Sequence, residues 1–260
     1  MPELPELEVL VKNLKGRIKD KRLGRPTVIN PRVISGDPNL VENKMVEDIK
    51  RRGKWVLIFL DDLYLAFHLR LNGYIFLLDY KEPDDYDCII LPVNGEYLHF
   101  GDPRRLAQMK ITKEINSLID ELGIDPLSEE FTLEYLSKNL KKKRGNIKTF
   151  LMDQDIISGI GNTYADEILF SAGINPTRPC QSLGEGEVKS LYRSIRNVLE
   201  EALSLGGAST EEFTNLVSRE QSFEPRVHRR EGEPCPVCET PIVMIKIGGR
   251  GTYYCPKCQK

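Results

Sequence analysis

Apolar residues recur at three- and four-residue spacing at the start of the chain, at Leu4, Leu7, Leu10, Val11 and Leu14. That period predicts an amphipathic helix over Pro5–Lys15, with Gly16 as its stop. From about Leu23 to Ile111 the period shortens. Trp55–Leu60, Leu63–His68 and Tyr74–Leu78 are rich in β-branched and aromatic residues, and Asp61-Asp62, Asn72-Gly73 and Asn94-Gly95 punctuate them. Short strands with close turns predict an antiparallel sandwich or barrel. The strands end near Leu122–Leu127, where the pattern predicts a linker. Helical periods return over residues 133–140, 147–152, 161–172 and 185–204. Gly206-Gly207 breaks the last, and a further short helix is predicted around Thr210–Val217. Residues 218–233 read as a loop, and no internal repeat is present.

The 260 residues suffice for two domains plus an appendage. Hydrophobic residues make up 40% and charged residues 29%, a globular balance. No run of about 18 apolar residues exists to span a membrane, and the acidic start has no apolar signal region, so a cytoplasmic protein is expected. The net charge of −2 speaks weakly against a nucleic-acid partner, but local clustering matters more than the total. Lys138–Lys148 holds six positive charges and no negative one, and Arg226, Arg229, Arg230, Lys246, Arg250 and Lys257 lie towards the C-terminus. Such runs are either a solvated face or a basic face for phosphates. Gly159–Asn162 reads as a tight turn into a helix N-terminus, whose N–H groups suit an anion.

Of the six cysteines, four form two Cys-x-x-Cys pairs, Cys235/Cys238 and Cys255/Cys258, sixteen residues apart. Two such knuckles close a tetrahedral four-thiolate zinc site, and a full shell of protein ligands makes the ion structural. Between the pairs, Ile242–Ile247 and Thr252–Tyr254 read as strands joined by Gly248–Gly251, which puts Arg250 at the tip of a hairpin. Cys88 and Cys180 receive no role. The opening Met1-Pro2-Glu3-Leu4-Pro5-Glu6 has two readings. One is a helix start, with proline in the first turn and acids at the positive end of the dipole. The other is catalytic: once Met1 is removed, Pro2 offers a secondary amine of modest pKa, which attacks a sugar carbon to give an iminium electron sink, with Glu3 as proton donor.

The two ends of the chain decide between these readings. The motifs at Pro2–Glu8, Arg52–Trp55, His68–Gly73, Asp102–Arg105, Leu151–Asp153, Gly159–Ala165, Gly173–Pro176, Arg230–Cys235 and Gly249–Cys255 run from end to end. In that order they resemble the formamidopyrimidine-DNA glycosylase family, which shares its fold with endonuclease VIII. Glu3-Leu4-Pro5-Glu6 points to the formamidopyrimidine branch. The resemblance implies an α+β fold: an N-terminal helix and antiparallel β-sandwich (residues 1–124), a helix–two-turn–helix domain (125–222) and a Cys₄ zinc β-hairpin (223–260). It implies one structural zinc, a monomer, no membrane, and duplex DNA with a damaged base or abasic site as partner, on the bacterial nucleoid. The damaged nucleotide would be flipped out of the stack, with the DNA between the halves. Pro2 would displace the base, Glu3 would give the proton, and β- and δ-elimination would follow, with Lys54 and Arg250 as proton donors near the departing phosphates.

Phosphate contacts fall on His68, Arg104, Lys143 and Asn162. Arg104 belongs to a wedge that fills the hole left by the flipped base; its companions, usually Met and Phe, are here Leu71 and Leu106. Two further departures follow. Asp85-Tyr86-Asp87 stands where the family tends to have a DNA-contacting His-x-His. The lesion-capping segment, Ser218–Pro225, has no glycine. The expected substrates are formamidopyrimidines and 8-oxoguanine; the alternatives are a preference for oxidised pyrimidines or abasic sites, and a non-catalytic zinc protein that binds damaged DNA. A zinc-ribbon transcription factor would leave the N-terminal motif unexplained.

Overall fold

Helix α1 spans Leu4–Ile18 in the computed structural model, which describes residues 1–208, 213–216 and 222–260. Pro5 sits in the first turn, where a missing N–H costs nothing. Leu7, Leu10, Val11, Leu14 and Ile18 line the buried face. The helix does not stop at Gly16, as the sequence predicts. Gly16 is not among the left-handed residues a stop requires, and Ile18 gives the last turn a core contact.

Nine strands follow: β1 (Thr27–Val28), β2 (Ile34–Ser35), β3 (Val46–Arg52), β4 (Trp55–Leu60), β5 (Leu63–His68), β6 (Tyr74–Leu78), β7 (Asp87–Val93), β8 (Glu96–Gly101) and β9 (Gln108–Thr112). They form a four-stranded sheet, β1-β7-β8-β6, and a five-stranded sheet, β2-β9-β5-β4-β3. All pairs are antiparallel except β2–β9, which is parallel. β2 is two residues long and far from β9 in sequence, so no alternation signals this pairing. Phe67 and Phe100 join the sheets edge to face, with centroids 5.1 Å apart. Register brings the Gly53-Lys54 turn and the loops after His68 and Gly101 to one end of the sandwich. Arg52 pairs with Trp55, Trp55 with His68, and His68 with Gln108. Tyr74 and Asp87 both pair with Gly101 in the other sheet.

This sandwich, with α1, a short α2 (Asn116–Ile119) and the returning stretch Phe213–Leu216, is one of two compact units. The predicted helix around 210–217 is absent from its described part. Phe213–Leu216 runs along the open edge of β6, where Phe213 O accepts from Ile75 N and the Asn215 amide pairs with both backbone groups of Leu77.

The second unit holds α3 (Leu133–Lys142), α4 (Ile147–Leu151), α5 (Asn162–Ala172), α6 (Glu185–Ser204) and the hairpin β10 (Val243–Ile247) and β11 (Arg250–Tyr254). Residues 122–127 are not a free linker. Gly123 N and Ile124 N donate to Gln154 O and Ile156 O, so the stretch is laced into this unit. No described helix is long and apolar enough to cross a membrane.

Gly16 lies in a helical turn, and beyond its own helix backbone and chain neighbours nothing lies within 4 Å of where its Cβ would be. Gly16→Ala therefore raises unfolding free energy by about 0.5–1 kcal/mol through the lost backbone entropy of the unfolded chain; urea titrations of the two proteins measure it.

Candidate active site

Pro2 and Glu3 are buried at the head of α1, and Met1 is exposed. Glu3 is the N-cap, and its N–H donates to Glu6 Oε2 at 2.8 Å. This carboxylate fixes the chain where it enters the helix. The positive end of the helix dipole lies at this terminus.

Lys54 is placed by backbone geometry. Arg52↔Trp55 pairing leaves Gly53-Lys54 as a two-residue turn. Gly53 has φ +56° and Lys54 is not left-handed, the II′ pattern that needs glycine first. Arg51 ties this turn to α1: Nε donates to Glu8 Oε2 at 2.8 Å and Nη1 to Gly53 O at 3.1 Å. Lys54 itself is only 8% exposed.

His68 ends β5 with its ring 5.0 Å from that of Trp55, edge to face. Burial first, then the charges of Arg70 and Lys54, push its pKa down to about 3. The ring is thus neutral near pH 7. Nδ1 accepts from Arg70 N at 3.2 Å, which leaves the proton on Nε2. A phosphate at His68 would meet a neutral N–H donor.

Leu71 and Leu106, expected from the sequence to form a wedge, sit on two loops that each carry a left-handed arginine. Leu71 is 48% and Leu106 52% exposed. Each follows an arginine held left-handed, Arg70 at φ +53° and Arg105 at +55°. Such backbone costs about 1–3 kcal/mol and persists where surroundings enforce it. In the Arg105 loop Asp102, wholly buried, supplies the enforcement by accepting from the N–H groups of Arg104, Leu106 and Ala107 at 2.9, 2.6 and 2.7 Å. Arg105 adds bonds to the carbonyls of Asp85, Tyr86 and Asp87. The loops meet where Gly73 passes Ala107; a Cβ on Gly73 would lie 2.4 Å from Leu69 O. Arg104 remains exposed. Asp87 is no surface side chain: it is fully buried, bonded to Tyr74 Oη at 3.0 Å and His99 Nδ1 at 2.8 Å.

In the second unit, Lys143 caps the end of α3 and pairs with Asp153, which raises its pKa. Asn162 begins α5, whose N-cap is Gly161; one amide hydrogen goes to Gly251 O at 3.0 Å. Its backbone N–H group at the helix end suits an anion. Arg250 is exposed, but it is not at the hairpin tip. Gly248-Gly249 alone form the turn, and Arg250 opens β11 opposite Ile247.

The Sγ atoms of Cys235, Cys238, Cys255 and Cys258 all lie within 4.8 Å of one another, with Cys235–Cys258 at 3.8 Å and Cys238–Cys255 at 3.4 Å. Four thiolates at about 2.3 Å from a tetrahedral ion are about 3.8 Å apart, so the set fits zinc. Cys258 N–H points at Cys255 Sγ, as a charged thiolate favours. Cys88 and Cys180 are buried elsewhere.

Sequence reading misses the supporting residues: Glu6 and Arg51, Asp102 as loop organiser, and the buried acids Asp166 and Glu167. The last pair left a signal, two adjacent carboxylates within the otherwise apolar Tyr164–Phe170 face. The low pKa of His68 makes a stability prediction. The unfolded chain takes up a proton near pH 6.5 and the folded protein only near 3, so stability falls as pH drops through that window. Unfolding of wild type and His68→Gln at pH 7, 6, 5 and 4 should show wild type losing ground, by at most about 1.4 kcal/mol per pH unit.

Three family models match the chain: the formamidopyrimidine-DNA glycosylase N-terminal domain over residues 1–109, its H2TH domain over 122–214, and the zinc finger found in FPG and IleRS over 232–260. The formamidopyrimidine-DNA glycosylase of Pelotomaculum thermopropionicum is 38% identical, over 100% of this chain and 99% of that one. The MutM (Fpg) protein of Thermus thermophilus superposes with TM-score 0.90 at 34% identity, over 99% and 98% of the two chains. A Lactococcus lactis Fpg variant, solved with DNA containing Fapy-dG, gives 0.92 at 30% identity over 100% of both. The finger's four cysteines hold one structural zinc ion. By its matching domains and full-length relatives, the chain belongs to the formamidopyrimidine-DNA glycosylase family.

Proposed function

We propose that this protein excises oxidised bases from duplex DNA in base-excision repair and cuts the strand at the resulting abasic site, with the Pro2 amine as nucleophile. The observation that carries the reading is the buried Pro2–Glu3 pair at the head of α1, beside a carboxylate that fixes the chain there. Catalysis belongs to the chain that begins at Pro2; with Met1 attached the Pro2 nitrogen is an amide without a lone pair to offer.

In the first step the Pro2 nitrogen bonds to C1′ as the C1′–base bond breaks, and Glu3 passes a proton along this exchange. The sugar ring opens to an iminium ion. The cation acidifies the C2′ proton, whose removal expels the 3′ phosphate; a second elimination expels the 5′ phosphate. Water then releases Pro2. Lys54 and Arg250 carry protons and positive charge to the departing phosphates. His68, Arg104, Lys143 and Asn162 hold the backbone, and Leu71 and Leu106 wedge the unstacked step open. The functional division into residues 1–124, 125–222 and 223–260 is part of this reading, as are a monomeric state and work on the nucleoid. The zinc ion stabilises the finger and takes part in no step.

Formamidopyrimidines and 8-oxoguanine are the favoured substrates, in keeping with the Fapy-dG in the Lactococcus lactis complex. One feature favours oxidised pyrimidines or abasic sites instead: Ser218–Pro225 has no glycine, and most of it lies outside the described residues. A non-catalytic damage-binding protein would have no need of all four of Pro2, Glu3, Lys54 and Arg250.

Borohydride trapping on duplexes bearing 8-oxoguanine, a formamidopyrimidine, thymine glycol, dihydrouracil, uracil or an abasic site tests the reading. The mature protein should form a covalent adduct; Pro2→Gly or retained Met1 should cut it at least about a hundredfold, and Glu3→Gln should slow base release by about 10²–10⁴. Undiminished trapping by Met1-retaining protein would refute the Pro2 assignment, and the preferred duplex decides between the substrate classes.

A further inference from the structure

The wholly buried carboxylate of Asp166, midway along α5, gathers three separate parts of the second unit. Oδ1 accepts from Lys148 Nζ on α4 at 2.7 Å. Oδ2 accepts from His228 Nδ1 at 2.7 Å and from Tyr253 N at 3.3 Å. Asp166 and Lys148 are each 1% exposed. Lys148 Nζ donates further to Gly251 O at 3.2 Å and to Thr252 Oγ1 at 2.8 Å. Thr252 Oγ1 in turn donates to Arg250 O at 3.3 Å, and Asn162 holds Gly251 O from the start of the same helix. Every residue from Arg250 to Tyr253 is thus bonded, directly or through Lys148, to a network centred on one carboxylate.

Such a network is a poor way to add stability. Taking Lys148 and Asp166 out of water costs about as much as their attraction returns, and an apolar pair of similar volume is often as stable. β10 already fixes β11 on one side, and the zinc knuckle fixes its far end. What neither supplies is the register of β11 against α5, because apolar contacts slide where directional bonds do not.

We propose that Asp166 is a positioning residue for Arg250: acting through Lys148, Thr252 and Tyr253, it sets where the first residue of β11 stands relative to α5. The functional half of this inference rests on the role given to Arg250 above. Asp166 touches no substrate.

The test compares wild type, Asp166→Asn, the repacked double variant Lys148→Met with Asp166→Leu, Arg250→Gln, and the triple variant combining the last two. Each is assayed for zinc content, thermal midpoint, amide exchange at residues 250–253, single-turnover strand cutting of an 8-oxoguanine or formamidopyrimidine duplex, and the ratio of β- to β,δ-elimination products. The repacked variant leaves His228 Nδ1 and Tyr253 N without their acceptor, so its midpoint should fall, but it should stay folded at the assay temperature and keep one zinc per chain, so that the answer does not depend on Asp166→Asn folding. Its amides at 250–253 should exchange faster, and strand cutting should fall by about tenfold to a hundredfold, with a shift towards β-elimination products. The triple variant should be no slower than Arg250→Gln, because both changes remove the same contribution. Wild-type exchange at 250–253 in the repacked variant overturns the positioning. So does a loss that multiplies with that of Arg250→Gln. If Arg250→Gln alone cuts normally and leaves the product ratio unchanged, the role of Arg250 fails, and the exchange data still decide whether Asp166 sets the strand.

Discussion

The bond from Glu3 N–H to the Glu6 carboxylate, 2.8 Å long, holds the first residues of the chain onto the first turn of α1. Chain ends fray unless something ties them down, and a terminal nucleophile cannot work from a frayed end. Burial of Leu7, Leu10, Val11, Leu14 and Ile18 anchors the rest of the helix against the sandwich. The Arg51–Glu8 pair then fixes the Gly53-Lys54 turn to that helix. Pro2, Glu3 and Lys54 are therefore organised by one helix terminus and one hairpin turn.

The same economy governs the loops. A single buried carboxylate at Asp102 accepts three backbone N–H groups and keeps Arg105 left-handed, so Leu106 stands exposed on a rigid support. In the second unit Asp166 does for β11 what Asp102 does for the wedge loop. Both acids act on backbone rather than on substrate, and both are invisible to a search for exposed charge.

Much of this was legible in the sequence where period or spacing carries the signal. Helix α6 begins and ends with its apolar period, at Glu185 and Ser204, and the four cysteines lie together as their spacing requires. Local punctuation misled where tertiary contacts overrode it. Gly16 does not stop α1 because Ile18 extends the buried face. Arg250 reads as a tip residue among four, but the Gly248-Gly249 turn closes first. The parallel β2–β9 pair has no local signature at all. At the site, residue type told which groups carry chemistry but not their state. His68 reads as a phosphate contact, but only its burial beside Arg70 and Lys54 tells that the ring is neutral. Asp87 looks like a changed DNA contact, yet it turns inward to Tyr74 and His99.

The central claim is that one atom, the nitrogen of Pro2, bonds to the sugar. Peptide mapping by mass spectrometry of the borohydride-reduced protein–DNA adduct tests it most directly. After nuclease and trypsin digestion, the residual sugar mass should sit on the peptide that begins at Pro2 and ends at Lys12, with fragment ions assigning it to the first residue. The same mass on Lys54, or on any other lysine, would contradict the account.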